Sequence, residues 1–276
     1  MGQPGVAGFF DVLCSCSMGC AVRRINVAQG PYTHFAALYD WVMDGVKYDM
    51  WADYVVSLAE RFGIAGKELL DLACGTGNTT YTMIERGYRV TGVDASEDML
   101  GVARSKAARY AGAPVAFVRQ DMRELVLGRV FDMITCLYDS VNYLMAEDDL
   151  VRAFKSVAGH LKPQGIFIFD VNTEYQLAKT GRTPPSLFEK GDEVALFWKD
   201  EWRPAEKIWR VHLNGFVKQG DAYRRFSEVH EERAYSIAQL EQALSLGGFS
   251  RTSIFDAYTF APPRHDSMRL HFACRL

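Results

Sequence analysis

The run Leu69-Leu70-Asp71-Leu72-Ala73-Cys74-Gly75-Thr76-Gly77-Asn78 constrains the fold more than any other part of the chain. A hydrophobic strand enters a glycine turn, and a helix begins on the far side of it. Gly75 and Gly77 let the backbone turn sharply and approach a ligand closely. The surroundings repeat the alternation. Strands are read at 68–73, 88–94, 115–119, 131–137 and 165–171, and helices at 79–86, 96–110 and 147–161. Ser96 is suited to N-cap the second of these helices. Two further helices are read between Tyr32 and Gly63, from apolar residues recurring at helical spacing. Strands alternating with helices build βαβ units, so the expected class is α/β, doubly wound around a mainly parallel sheet.

After Thr173 the pattern changes. Segments 193–202, 207–218 and 222–235 read as successive antiparallel strands joined by Pro204-Ala205-Glu206 and Gln219-Gly220-Asp221. Ser236 to Gln239 reads as a capping box opening a helix that closes at Gly247-Gly248. Two last strands, 251–258 and 267–275, flank Pro262-Pro263. One domain is therefore expected over residues 31–276, with an antiparallel insertion at 187–235. Residues 1–30 are rich in Gly, Ser and Cys without a period, and read as a disordered or artefactual extension. Val12–Cys20 is apolar but no basic residues precede it, which argues against a secretory signal. Cys14, Cys16 and Cys20 have no His or second Cys pair nearby to complete four ligands, so no metal site is expected.

The chain carries a net charge of −3 over 276 residues. A protein that grips phosphate backbones usually shows a basic stripe, so composition gives a nucleic-acid substrate no support. No run approaches the roughly 18 apolar residues of a membrane helix. The 6 cysteines are too few and too scattered for a disulfide framework, and a reducing cytoplasm fits best. Oligomeric state is not legible.

The glycine turn narrows the ligand. A second strand ends in Asp94, roughly 20 residues on, where an acid can accept from both hydroxyls of a ribose. A third strand leads to Gln120-Asp121-Met122, placed to meet an adenine edge. A dinucleotide site would show G-x-G-x-x-G, but Thr80 holds the third position, and Asp71 would set a carboxylate against a pyrophosphate. No G-K-[ST] ending marks a triphosphate loop. S-adenosylmethionine (SAM) carries an ammonium and a sulfonium and no phosphate, and an acid beside the turn suits it.

These segments resemble the motifs of class I SAM-dependent methyltransferases. Residues 71–77 are similar to the first motif, 91–100 to the second and 120–122 to the third. Leu161-Lys162-Pro163-Gln164-Gly165 resembles the turn before the fifth strand, with Gln164 where a glycine is commoner. Phe131-Asp132, Asp139 to Tyr143 and Phe169 to Thr173 resemble a bacterial group of small methyltransferases that carry a late antiparallel insertion. The resemblance implies a Rossmann-like, seven-stranded sheet and SAM as cofactor. It also implies positions. Gly75 and Gly77 would pass near the methionine part, Asp71 would help hold its amino group, Asp94 would take the ribose, and Met99 and Met122 would pack on the adenine with Asp121 near its amino group. Ala73, Ala95 and Leu137 are further candidate cofactor-binding residues. Tyr32 and Tyr39, on an N-terminal helix, would lid the cofactor.

Methyl transfer asks the protein mainly to align a nucleophile and exclude water, sometimes with a base. Asp139, Asn142 and Tyr143 follow the fourth strand, at the sheet edge where ligands bind, and read equally as a substrate loop or a loop-ordering turn. Cys136-Leu137-Tyr138-Asp139 lacks the [DN]-P-P-[FY] pattern of amino-group methyltransferases acting on adenine or glutamine. Phe226, Glu228 and His230 share a strand face. Glu228 could orient His230 as a general base, although such pairs are more often solvated or structural. Trp198, Trp202 and Trp209 read as the insertion's own small core, and His160 as structural. His230 and Tyr143 are thus the candidate catalytic residues. The acceptor is expected to be a small molecule covered by the insertion. A tRNA or protein methyltransferase of the same fold and a non-catalytic SAM binder stay open.

Overall fold

The computed structural model describes residues 31–110 and 115–276; the expectation of a disordered or artefactual extension at residues 1–30 lies outside them. Helices α1 (Ala36–Val42) and α2 (Tyr48–Arg61) precede the alternation. Then come β1 (Glu68–Leu72), α3 (Asn78–Glu85), β2 (Arg89–Asp94), α4 (Glu97–Lys106), β3 (Ala116–Arg119), β4 (Phe131–Cys136), α5 (Glu147–Ala158) and β5 (Leu161–Asn172). Helix α6 (Glu174–Thr180) leads into β6 (Ser186–Lys190), β7 (Val194–Arg203), β8 (Ile208–Gln219) and β9 (Ala222–Arg233), and α7 (Ile237–Leu246), β10 (Arg251–Asp256) and β11 (Arg269–Arg275) close the chain.

The main sheet has 7 strands in the order β10-β11-β5-β4-β1-β2-β3. Pairings from β5 to β3 are parallel, and β11 runs antiparallel to both neighbours. Alternation decides which side each strand residue serves. Leu70, Ile134, Phe167, Phe169 and Phe272 pack with Phe154 of α5 and Leu240 and Leu244 of α7. Leu69, Met133, Ile166 and Ile168 pack on the other face with Leu58 of α2 and Met83 of α3. Both faces are covered, which is why these strands read as continuous apolar runs. The strand order reverses between β1 and β4, and the carboxyl ends of these strands open the crevice where such sheets hold ligands.

The second sheet, β6-β7-β8-β9, is antiparallel throughout. It begins one strand earlier than the three strands read from sequence, and α6 in front of it was not foreseen. Nor is the core of the sheet its own. Trp209, Leu196, Leu213 and Phe226 pack together with Phe35 and Leu38 at the start of the chain and Leu177 of α6. Trp202 sits against Gly181, where a Cβ would lie 2.5 Å from the Cβ of Trp202. The insertion is thus clamped to the N-terminal segment, a contact that no local pattern announces. Among the described residues, no helix is long and apolar enough to cross a membrane.

Candidate active site

A cavity of about 610 Å³ opens at the carboxyl ends of β1, β2 and β4. Its first wall is the turn after β1. Ala73 and Gly75 both take left-handed backbone (φ 55° and 54°), and Cys74 N–H donates to the Val93 carbonyl at 3.0 Å. The chain therefore doubles back without a side chain standing between backbone and ligand. Gly77 is also left-handed (φ 79°) and starts α3, but it does not line the cavity. A Cβ there would meet Ala103, Tyr81 and Phe117 at 3.2–3.3 Å, so its smallness lets α3 pack closely.

Asp94, at the end of β2, is held by two backbone donors. Gly75 N–H reaches one oxygen and Ser96 N–H the other, both at 2.8 Å. Burial pushes its carboxyl up, with the N–H groups of Ser96, Gly75 and Ala95 offsetting part of the rise. Each oxygen keeps lone-pair capacity, which two vicinal hydroxyls could use. Asp71 is more deeply placed. Thr80 and Thr135 donate their hydroxyls to its two oxygens at 2.5 and 3.1 Å, and burial lifts its carboxyl to about 6.

Ser96 caps α4 by accepting from Met99 N–H at 3.2 Å, which brings buried Met99 against the turn. Ala95, Leu137 and Met122 complete the apolar lining. Asp121 caps a 3-10 turn over Met122–Glu124, and its carboxylate grips Arg123 at 2.6 Å. That grip, more than any other contact, holds the Asp121 carboxyl below its usual range.

Tyr39 lies on α1 and lines the cavity, but Tyr32 does not share a helix with it. It sits in the turn before α1 with φ 63°, and its carbonyl accepts from the Ser96 hydroxyl at 3.1 Å. Asp40 was missed by sequence reasoning. Its carboxylate takes the Thr76 hydroxyl at 2.6 Å, the Asn78 amide at 3.0 Å and Lys106 at 2.6 Å, fastening α1 onto the glycine turn. No spacing rule distinguishes such a clamp from a solvated helix acid.

A second cavity of about 210 Å³ lies between α1, α6, the end of β5 and the antiparallel sheet. Tyr32, Tyr39, Tyr138 and Tyr143 border both cavities. His230 lies in the second, on the inward face of β9. Its Nδ1 is 3.3 Å from the Tyr143 hydroxyl, which is 2.5 Å from the Tyr32 hydroxyl. Its Nε2 is 3.3 Å from Glu228. Burial pushes the phenols of Tyr32 and Tyr143 well above their ordinary range. The Glu228–His230 pair, expected to be solvated or structural, is neither solvated nor isolated: both side chains are buried, because Glu228 finds partners in the N-terminal segment.

Beside His230 lies a charged cluster. Tyr138 and Asp139 take consecutive left-handed conformations (φ 63° and 55°). Arg269 of β11 binds Asp139 at 2.7 Å and also pairs with Asp170 of β5. Glu232 of β9 accepts from Asn172 at 3.1 Å, and burial, then Asp139, pushes its carboxyl well up. The Arg269 guanidinium is thus held between the carboxyl groups of Asp139 and Asp170 beside the second cavity. Asp139, left open by the sequence, belongs to this cluster, whereas Asn142 is a brace. It donates to the carbonyls of Asn172 at 3.1 Å and Arg233 at 2.9 Å, and accepts from Asn172 N–H at 2.9 Å.

The protein YqeM of Bacillus subtilis (strain 168), whose name calls it a methyltransferase, is 36% identical over 245 residues, covering 87% of this chain and 95% of that one. The chain belongs to the class I SAM-dependent methyltransferases. The family described as a methyltransferase domain matches residues 69–165 of this methyltransferase, from β1 into β5. The crystal structure of a SAM-dependent methyltransferase from Clostridium acetobutylicum ATCC 824 superposes with a TM-score of 0.77 at 33% identity, covering 89% of this chain and 98% of that one. A relative from Streptomyces fradiae is 33% identical over 219 residues, covering 78% of this chain and 83% of its own. It is named dTDP-3-amino-3,6-dideoxy-alpha-D-glucopyranose N,N-dimethyltransferase. The first cavity fits SAM chemically. The methyltransferase offers a carboxylate with spare acceptor capacity at Asp94, a second acid at Asp71, open backbone at Gly75 and an apolar wall at Met99.

Proposed function

We propose that this methyltransferase methylates a small molecule carrying an amino group, seated in the second cavity, with His230 as general base. The observation that carries the proposal is that Tyr32, Tyr39, Tyr138 and Tyr143 line both cavities, with His230 in the lining of the second. A space of about 210 Å³ suits a small group. Asp139 and Glu232 bring carboxyl oxygens to the lining of this cavity, acceptors that the N–H donors of an amino group could use. The name of the Streptomyces fradiae relative, which describes an amino sugar as the substrate, supports the same chemistry.

In this reading Asp94 holds the ribose, Asp71 faces the ammonium of the cofactor, and Met99, Met122 and Leu137 pack on its adenine side, with Asp121 near the exocyclic amine. Ala73, Gly75 and Ala95 supply close backbone. Tyr32 and Tyr39 cover the cofactor and keep water out. SAM, when bound, supplies a methyl carbon already activated by its sulfonium. An ammonium acceptor must lose a proton before its nitrogen pair can attack. His230 takes that proton at Nδ1, directly or through the Tyr143 hydroxyl, because ionised Glu228 keeps the other ring proton on Nε2. Incubation of the protein with methyl-labelled SAM and a metabolite extract tests the proposal. After mild acid hydrolysis, which frees an amine from any phosphate carrier, label is expected in small molecules retained by a cation exchanger. Label found only in neutral products, or only in RNA or protein, overturns it.

A further inference from the structure

We infer that Glu228 is a positioning residue that couples closure of the N-terminal segment over the cofactor to placement of His230. The inference rests on the reading of His230 as the base. One Glu228 oxygen accepts from Tyr32 N–H at 2.9 Å and lies 3.3 Å from His230 Nε2. The other accepts from the N–H groups of His34 and Phe35, the latter at 2.9 Å. Burial raises the cost of this carboxylate, but His230 and the Phe35 and His34 amides outweigh it and hold its carboxyl below the ordinary range. A buried carboxylate with three backbone donors is strongly bound only while those donors are present.

The segment also supports the imidazole directly. The Tyr32 ring meets His230 edge to face at a centroid distance of 4.5 Å, and Phe35 does so at 6.0 Å. The segment is also tied to the first cavity, through the Ser96 hydroxyl on the Tyr32 carbonyl and, at its far end, Asp40 on Thr76. Lifting the segment removes three donors from Glu228 and two rings from His230 together. The base is therefore set in place by the motion that shuts water out, which orders proton removal after closure. The titratable groups that meet His230 are Glu228, Tyr143 and Tyr32.

The test uses the full chain with S-adenosylhomocysteine as the probe. Hydrogen exchange reports residues 32–38, and NMR at fixed pH follows the imidazole resonance of His230, assigned by its loss in His230→Gln. In the wild type both readouts should respond to S-adenosylhomocysteine with one midpoint. In Glu228→Gln, protection of residues 32–38 should fall about tenfold, and the His230 resonance should move from its wild-type position and no longer respond to S-adenosylhomocysteine. Protection of β1 serves as the check on folding. Should Glu228→Gln not fold, Glu228→Asp carries the test. It keeps the charge on a shorter stem, so at most one of the two readouts should match the wild type. Either readout unchanged in Glu228→Gln, or both unchanged in Glu228→Asp, overturns the coupling. Retained turnover in His230→Ala would instead remove the base and leave the coupling measurable.

Discussion

At the scale of single residues, the two acids of the cofactor cavity differ in how they are held. Asp94 is fixed by backbone N–H groups and keeps acceptor capacity. Removing it should weaken SAM binding by the loss of charge-assisted hydrogen bonds, about 1.5–3 kcal/mol, or roughly 10- to 150-fold. Calorimetry on Asp94→Ala with unaltered SAM affinity would contradict that role. Asp71 is buried, and its carboxyl is raised to about 6. A raised carboxyl favours the protonated folded state, so the stability it contributes is present below the unfolded carboxylate range and is lost as pH rises through about 6. A bound ammonium favours the ionised form. SAM affinity should therefore rise as pH increases through about 6, and Asp71→Asn should flatten that dependence in calorimetric titrations across pH 5 to 8. A wild-type affinity that is flat across this range would count against an ammonium beside Asp71.

At the scale of elements, the two sheets divide the work. The turn after β1 and the end of β2 line the first cavity, whereas β9 brings His230 and Glu232 to the second. His230→Ala should leave SAM affinity within about twofold and lower turnover about 10²- to 10⁴-fold, the range for loss of a general base. Loss of SAM binding by a folded His230→Ala would erase this division. The cofactor wall was legible because its residues are close in sequence and the chemistry depends on local backbone shape. Left-handed Gly75 and the acid closing the next strand have sequence signatures, but Gly77 shows the limit of that logic. Its conformation was readable, and whether it faces ligand or helix depended on how α3 packs. The face shared by Phe226, Glu228 and His230 was equally readable from strand alternation, while the segment that buries it was not.

Across the whole molecule, the buried polar groups of the second cavity join the insertion to the main sheet. Arg269 of β11 pairs with Asp139 and Asp170, Asn172 of β5 binds Glu232 of β9, and Asn142 stitches β5 to β9. Removing one partner of such a cluster leaves an uncompensated charge, so Arg269→Met should cost about 3–5 kcal/mol. Urea unfolding should show a lowered midpoint with the slope unchanged. A loss below about 1 kcal/mol would show the cluster to be wet and weakly coupled. The sequence by itself determined the parallel sheet, the glycine turn and the acids beside it, because periodicity and turn chemistry act over a few residues. Tertiary structure decided the second cavity. Tyr32 meets Glu228 across 196 positions and Asp139 meets Arg269 across 130. Such contacts form only when the insertion folds back over the sheet, and a polar side chain carries no local mark of the partner that will neutralise it.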